Sequence, residues 1–414
     1  MSPSPRLAGL VGAVALLTVI VGPALGALAA VALIAAAVVD ALAVRSAPRV
    51  QRTLPSVLAR GVPTRFALTA AEGVGTVRVR QPLPPDLTAA PQEGSGGVEG
   101  MVTGVRRGRH VVTAPVARRE GPLRLGRWDH RPGGAAVVLV YPDLPTARRL
   151  ALAVRMGRLR EPGLRPRGPL GLGTDFESIR DYAPDDDIRQ VNWAATLRTG
   201  RPMSNTYRVE QEREVMLLID AGRLMAAPLQ DATRLDVAVD AAVAVAAVAD
   251  VLGDRCGVLA FAGTRLRHLR PARAGGRAVT EAIFDLEPVA EEADYELAFQ
   301  TVGGGKRALV MVFTDLIEET AARPLADAVP VLAKRHAVMV ASAADDDLLA
   351  RARAPEATVH GAYAAAAALD VLAARDRAAA LLARAGAVVV EAPAASLAAR
   401  CVSAYLRAKS RARL

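Results

Sequence analysis

Hydrophobic and polar positions change rhythm three times along this chain. Residues 7–39 are almost unbroken hydrocarbon and glycine, with Asp40 the first charge after them and Arg45 the next. A bilayer core takes about 20 apolar residues per helix, and Gly22-Pro23 interrupts the run near its middle, where such a pair favours a tight turn. The pattern predicts a segment 1–48 with two membrane spans, 7–21 and 24–44, and Asp40 near the inner interface. A cleaved signal peptide is the competing reading, but the run outlasts an ordinary h-region. Arg6 precedes the spans, Arg45, Arg49 and Arg52 follow them, and the turn is uncharged. That asymmetry predicts a multi-pass protein of the cell membrane with its soluble domains in the cytoplasm.

The second rhythm is short and irregular. In 49–147 brief apolar or alternating runs at 65–70, 75–80, 108–113 and 135–140 are punctuated by Pro82, Pro84, Pro85, Pro91 and the GSGG stretch at 94–97. Strands at this spacing suggest a small β-sandwich. His110 and His130 lack metal-ligand spacing and read as strand or turn surface residues. Segment 148–170 is rich in arginine and reads as a basic linker lying near anionic headgroups.

The third rhythm alternates buried-strand and helix patterns through 213–414. Strand runs at 215–219, 256–261, 308–313, 337–341 and 387–390 are separated by helical stretches at 233–252, 274–286, 293–302, 325–335 and 362–385, with a last one at 394–406. Residues 265–269 suit a hairpin partner for 256–261. This predicts an α/β fold with a doubly wound sheet. In such sheets ligands sit beyond the carboxyl ends of the strands, where Asp220 and Asp315 end their runs.

Composition narrows the chemistry. The chain has 414 residues, 52% hydrophobic but only 3% aromatic, so its cores are packed with small aliphatic groups. The net charge is +10, but the arginines are spread along the chain with no aromatic-interleaved stripe, which argues against nucleic acid as a partner. The two cysteines, Cys256 and Cys401, form no disulfide framework, and Cys256 lies in an apolar run that predicts a buried thiol. No GxSxG, HExxH or P-loop pattern is present. Gly303-Gly304-Gly305-Lys306 precedes a strand and reads as the turn into it. The expectation is a protein that is not an enzyme.

Between the second and third rhythms, 171–212 carries the densest polar pattern, DFESIRDYAPDDDIRQVNW. Asp185 or Asp186 is placed to cap a helix beginning near Asp187, after Pro184. Ile188, Val191 and Ala195 would share a face of that helix, with Trp193 as a packing anchor. Glu177, Arg180 and Asp181 add charges at close spacing. An ion-pair cluster that fixes the segment and a site that recognises a partner both suit this pattern.

This segment resembles the signature of domain-of-unknown-function family 58, approximately E-F-x-x-L-R-x-Y-x-x-G-D-D-x-R-x-I-x-W. The matching positions are Asp175-Phe176, Ile179-Arg180, Tyr182, Asp186-Asp187, Arg189, Val191 and Trp193. Asp175 replaces the usual Glu and Asp185 the usual Gly. The resemblance implies a signature cluster of Arg180, Tyr182, Asp186, Asp187, Arg189 and Trp193. It also implies a von Willebrand factor A-like domain at 213–414. In A domains a metal-ion-dependent adhesion site begins D-x-S-x-S and holds Mg²⁺ through hard oxygen ligands. Here Asp220 and Asp315 stand at metal positions, but Gly222 and Leu224 replace the serines, Arg223 adds a positive charge, and Ala293 stands where a threonine belongs. The site therefore reads as degenerate, with no cofactor beyond a weak Mg²⁺, and its carboxylates are expected to cap turns or pair with Arg223. Family resemblance further implies a MoxR-type AAA+ ATPase as partner. The leading expectation is a membrane-anchored interaction or scaffold module. A metal-dependent adhesion or sensing domain is the alternative, and an unrecognised enzyme the third.

Overall fold

The computed structural model describes residues 2–71, 73–159, 175–183, 186, 190–208, 213–317, 319–353 and 358–410. The chain divides into two units, Met1–Tyr141 and Pro142–Leu414.

The first unit opens with β1 (Ser2–Pro3), α1 (Pro5–Val21) and α2 (Pro23–Ala43). Ser4 caps α1 by accepting from the Leu7 N–H at 3.1 Å, and Gly22, at φ +99°, makes the joint between the helices. Among the described residues α2 is the one helix long and apolar enough to cross a membrane, and α1 is apolar but shorter. Eleven strands follow: β2 (Val50–Thr53), β3 (Val57–Ala59), β4 (Thr64–Ala70), β5 (Thr76–Arg80), β6 (Leu87–Ala90), β7 (Glu93–Ser95), β8 (Gly97–Gly104), β9 (Gly108–Val112), β10 (Val116–Glu120), β11 (Gly126–His130) and β12 (Ala136–Tyr141). They form sheets ordered β1-β11-β10-β5-β7, β2-β4-β8-β6 and β3-β12-β9. One core of inward residues, including Leu58, Phe66, Val79, Val102 and Val140, joins all three.

The lower end of α2 is tied to this unit. The Asp40 carboxylate accepts from the backbone N–H groups of Leu123 and Leu125 at 2.8 Å and of Gly126 at 3.0 Å, and Trp128 Nε1 donates to the Ala41 carbonyl at 2.8 Å. A Cβ at Gly121 would collide with the carboxylate, so glycine is what lets this loop close around it. Asp40 is therefore a buried anchor of the helix end. His110 departs from the expected surface position. It is buried, with Nε2 2.9 Å from the Arg106 carbonyl.

In the second unit α3 (Leu144–Arg155) comes first. Asp143 caps it by accepting from the Thr146 N–H at 3.0 Å. Ala147 and Ala151 are buried in the α/β core, so the amino-terminal part of the expected basic linker is an amphipathic helix. The arginines occupy its outer face, which is why they read as a solvated connector. β13 (Asp175–Asp181) and β14 (Met203–Arg208) form an antiparallel pair, with α4 (Trp193–Thr199) between them.

The remaining elements are β15 (Glu214–Asp220), a 3₁₀ turn (Arg223–Ala226), β16 (Pro228–Leu229), β17 (Ala232–Thr233), α5 (Arg234–Val251), β18 (Arg255–Phe261), β19 (Arg265–Arg273), α6 (Gly276–Ile283), α7 (Tyr295–Gly303), β20 (Ala308–Phe313), α8 (Glu319–Ala333), β21 (Ala337–Ala344), α9 (Asp346–Arg353), α10 (Val359–Ala385), β22 (Val388–Pro393) and α11 (Ala394–Ser410). The six-stranded sheet has the order β19-β18-β15-β20-β21-β22. Its strands are parallel except β19, which returns antiparallel along β18. The parallel strands β15, β18 and β20 are buried along nearly their whole length, as expected for strands covered on both faces. One core cluster includes side chains of α3, α5, α6 and α11 and the other those of α7, α8 and α10. Cys256 and Cys401 are both buried, and burial pushes the Cys401 thiol up to about 12.

Candidate functional site

The strand order turns back between β15 and β20, and the residues that leave those two strands form a buried polar cluster. β15 ends in Asp220 and β20 runs into Thr314-Asp315. Asp220 is 3% exposed. Its Oδ1 accepts from the Gly222 N–H at 2.7 Å. Its Oδ2 accepts from Thr314 Oγ1 at 2.7 Å and from the Tyr295 hydroxyl at 3.1 Å. Tyr295 is brought there by the start of α7, where Asp294 caps the helix through the Leu297 N–H at 2.9 Å. Burial raises the Asp220 pKa, and the donors from Thr314, Gly222 and Tyr295 offset only part of that cost. Burial, and then the neighbouring Asp220, push the Tyr295 phenol well above its ordinary value.

Asp315 meets a different environment. Its Oδ1 accepts from Arg234 Nη1 at 2.9 Å and from Arg375 Nη1 at 3.0 Å. Arg234 is delivered by the first turn of α5, which a Thr233/Asp236 capping box fixes. It also donates to the Ala343 carbonyl at 3.1 Å. Arg375, in the middle of α10, donates to Ser342 Oγ at 3.1 Å, the Ala343 carbonyl at 2.9 Å and Glu391 Oε1 at 3.0 Å. Burial works against the Arg375 charge, but the carboxylates of Asp315 and Glu391 outweigh it and raise its pKa. Asp315 Oδ2 is buried and has no hydrogen-bond partner among the described residues.

These donors do not suit a hard divalent cation, which wants several converging oxygens. Two guanidinium groups already neutralise Asp315. The first serine position of the metal motif is closed as well: a Cβ at Gly222 would lie 2.9 Å from the Glu291 carbonyl oxygen and 3.2 Å from the Ala293 nitrogen. The loop carrying Ala293 is stitched over that position, with the Arg223 N–H on the Glu291 carbonyl and the Val289 N–H on the Ala221 carbonyl, both at 2.8 Å. Among the described residues no group of three His, Cys, Asp or Glu side chains is placed to hold a metal. Arg223 turns outward to Glu292 at 2.9 Å. It is not the partner of either strand-end carboxylate, which corrects that expectation.

The signature residues are brought together in part. Arg180 pairs with Asp186, which also accepts from the Ala183 N–H at 2.8 Å. That N–H and the Arg180 guanidinium hold the Asp186 carboxyl below the usual carboxylate range. The Tyr182 hydroxyl donates to the Asp186 carbonyl at 3.1 Å. Asp187 and Arg189 lie outside the described residues. The expected helix start near Asp187, like its cap candidate Asp185, lies outside the described residues, and α4 begins at Trp193. Asn192 is its cap, accepting from the Ala195 N–H at 2.9 Å, and its amide donates to Asn205 at 2.8 Å. Trp193 is 67% exposed, so it is not a packing anchor.

Sequence reasoning found Asp220 and Asp315 but missed Tyr295, Ser342, Arg375 and Glu391. Glu391 carried a usable signal, a carboxylate inside the apolar run VVVEAP. Arg375 carried none, because it is one charge among several in an alanine-rich helix.

The fold and cluster define an open α/β sheet with a polar site at its switch point. Residues 178–357 match the family model described as Protein of unknown function DUF58, which supports that family for this stretch. The chain is also similar to uncharacterized proteins Mb1516 of Mycobacterium bovis and Rv1480 of Mycobacterium tuberculosis, each 31% identical over 105 residues. That alignment covers 25% of this chain and 33% of each relative, so the chain spans about a third of the length of the curated relatives it matches.

Proposed function

We propose that this chain is a membrane-anchored interaction or scaffold module whose carboxyl-edge site works without a metal ion. The observation that carries the reading is the pair of arginines, Arg234 and Arg375, on Asp315. They supply from within the chain the positive charge that a cation would bring. The sheet order and the single antiparallel strand β19 support a doubly wound sheet of the von Willebrand factor A-like kind. The apolar α1 and α2 and the flanking arginines support anchoring by two spans, with the folded units in the cytoplasm. A MoxR-type AAA+ ATPase is the proposed partner, and membrane pull-down from the host tests it: recovery of no ATPase removes that claim.

The unsatisfied Oδ2 of Asp315 is the one observation favouring the second reading, a weak Mg²⁺ site at Asp220 and Asp315. Calorimetric titration of the full-length protein in detergent separates the two. The scaffold reading expects binding no tighter than about millimolar and a melting temperature unmoved by chelator. Stoichiometric binding in the micromolar range would establish the metal-dependent reading instead.

A further inference from the structure

Trp193 and Leu197 stand one helical turn apart on α4 and are 67% and 85% exposed. The exposed Arg198 and Arg201 follow directly. The chain has only two tryptophans, and it leaves this one in water. An exposed Trp followed by Arg has the composition of an interface anchor, and Leu197 extends its apolar surface.

The groove between α7 and α8 has the converse character. It encloses about 1010 Å³. Phe299, Ala328, Leu332 and the 68% exposed Val331 give it apolar walls. Asp294, Glu296 and Asp327 edge it together with Glu292, which Arg223 already pairs, against Arg335 as the arginine of the lining. On a chain of net charge +10, this rim runs against the molecular average and favours a basic occupant.

We propose that α4 of one copy docks in the α7–α8 groove of a second copy, with Trp193 and Leu197 on the apolar wall and Arg198 and Arg201 at the acidic rim. α4 is seven residues, about 10 Å at 1.5 Å per residue, and α8 is fifteen residues, long enough to receive it. The two surfaces are different patches, so the contact is head-to-tail. Each pair keeps one free α4 and one free groove, and assembly continues into a ring or filament. This goes beyond the scaffold reading and does not depend on metal content.

Thiol crosslinking of the full-length protein in neutral-lipid liposomes tests it. Cys256 and Cys401 are 1% and 0% exposed, so Leu197→Cys and Val331→Cys introduce the reactive sites at exposed positions. A short bis-maleimide is expected to give at least tenfold more covalent dimer from a mixture of the two single variants than from either alone. The double variant in one chain is expected to give a ladder beyond the dimer. Adding Val331→Glu to the Leu197→Cys partner should leave the mixture unchanged, because that chain contributes only its α4. Adding Trp193→Ala to it should cut the yield at least tenfold. Equal dimer from one single variant alone would mean a symmetric contact and overturn the proposal. So would crosslinking confined to monomers of the double variant, or no product above background.

Discussion

Asp220 and Asp315 leave the carboxyl ends of adjacent strands, yet the protein satisfies them by opposite means. Among the described residues Asp220 is met by neutral donors, two hydroxyls and one backbone N–H. Asp315 is met by two guanidinium groups within a buried network. A neutral shell leaves burial to dominate and raises the pKa, whereas a cationic shell stabilises the charged form. The difference separates two jobs. The Asp220 group joins the Tyr295 end of α7 to the sheet. The Asp315 group ties α5 and α10 to β21 and β22, which holds both helix layers to the carboxyl edge.

The largest test of this contrast is Arg375→Met. Removing Arg375 leaves Glu391 without its guanidinium and Asp315 with Arg234 alone, and breaking a buried ion pair costs about 3–5 kcal/mol. Scanning calorimetry of the full chain should show that drop in stability. Adding Asp315→Asn to the variant should cost less than it does in the parent, since Asp315 has by then already lost one of its two guanidinium partners. Two losses that simply add would mean the groups act independently.

Gly222→Ser is the next test, because it restores a serine to the first motif position. The added Cβ meets the Glu291 carbonyl oxygen, a backbone atom that cannot swing aside. Overpacking of this kind costs about 1–3 kcal/mol. The variant should melt lower than the parent and gain no response to Mg²⁺. A melting temperature that rises with millimolar Mg²⁺ would show that the missing hydroxyl, and not the arginines, kept the metal out.

How far the sequence reached follows from the same contrast. The buried strands of the α/β sheet were legible because they are covered on both faces and read as unbroken apolar runs, such as 308–313. β10 and β11 were not, since VARRE and GRWDH carry charges on half-exposed strands and mimic loops. α8 starts six residues before its expected first residue and runs through Pro324 and Pro330, because tertiary packing of Leu325, Val329 and Leu332 outweighs two missing N–H donors. The two strand-end carboxylates could be read from strand periodicity, but their partners could not. Tyr295, Arg234 and Arg375 arrive from helices 75, 81 and 60 positions away along the chain, and no local pattern encodes such distances.

The smallest expected effect is on Asp220, and its value lies in the sign. A carboxyl whose folded pKa is raised binds a proton more tightly in the native state than in the unfolded chain, where its value is about 3.9. Below that value the favourable contribution is complete, and it is lost as pH rises through the raised folded value. Asp220→Asn removes the titration. Its amide oxygen still accepts from the Gly222 N–H, and its amide nitrogen donates to the Thr314 and Tyr295 hydroxyls, which reverse their roles. The variant should lie within about 1 kcal/mol of the parent at acid pH and gain on it steadily toward neutrality, as read from melting temperatures at pH 4, 5.5 and 7. An advantage that instead shrinks as pH rises would mean that the Asp220 hydroxyl shell stabilises the carboxylate more than burial penalises it.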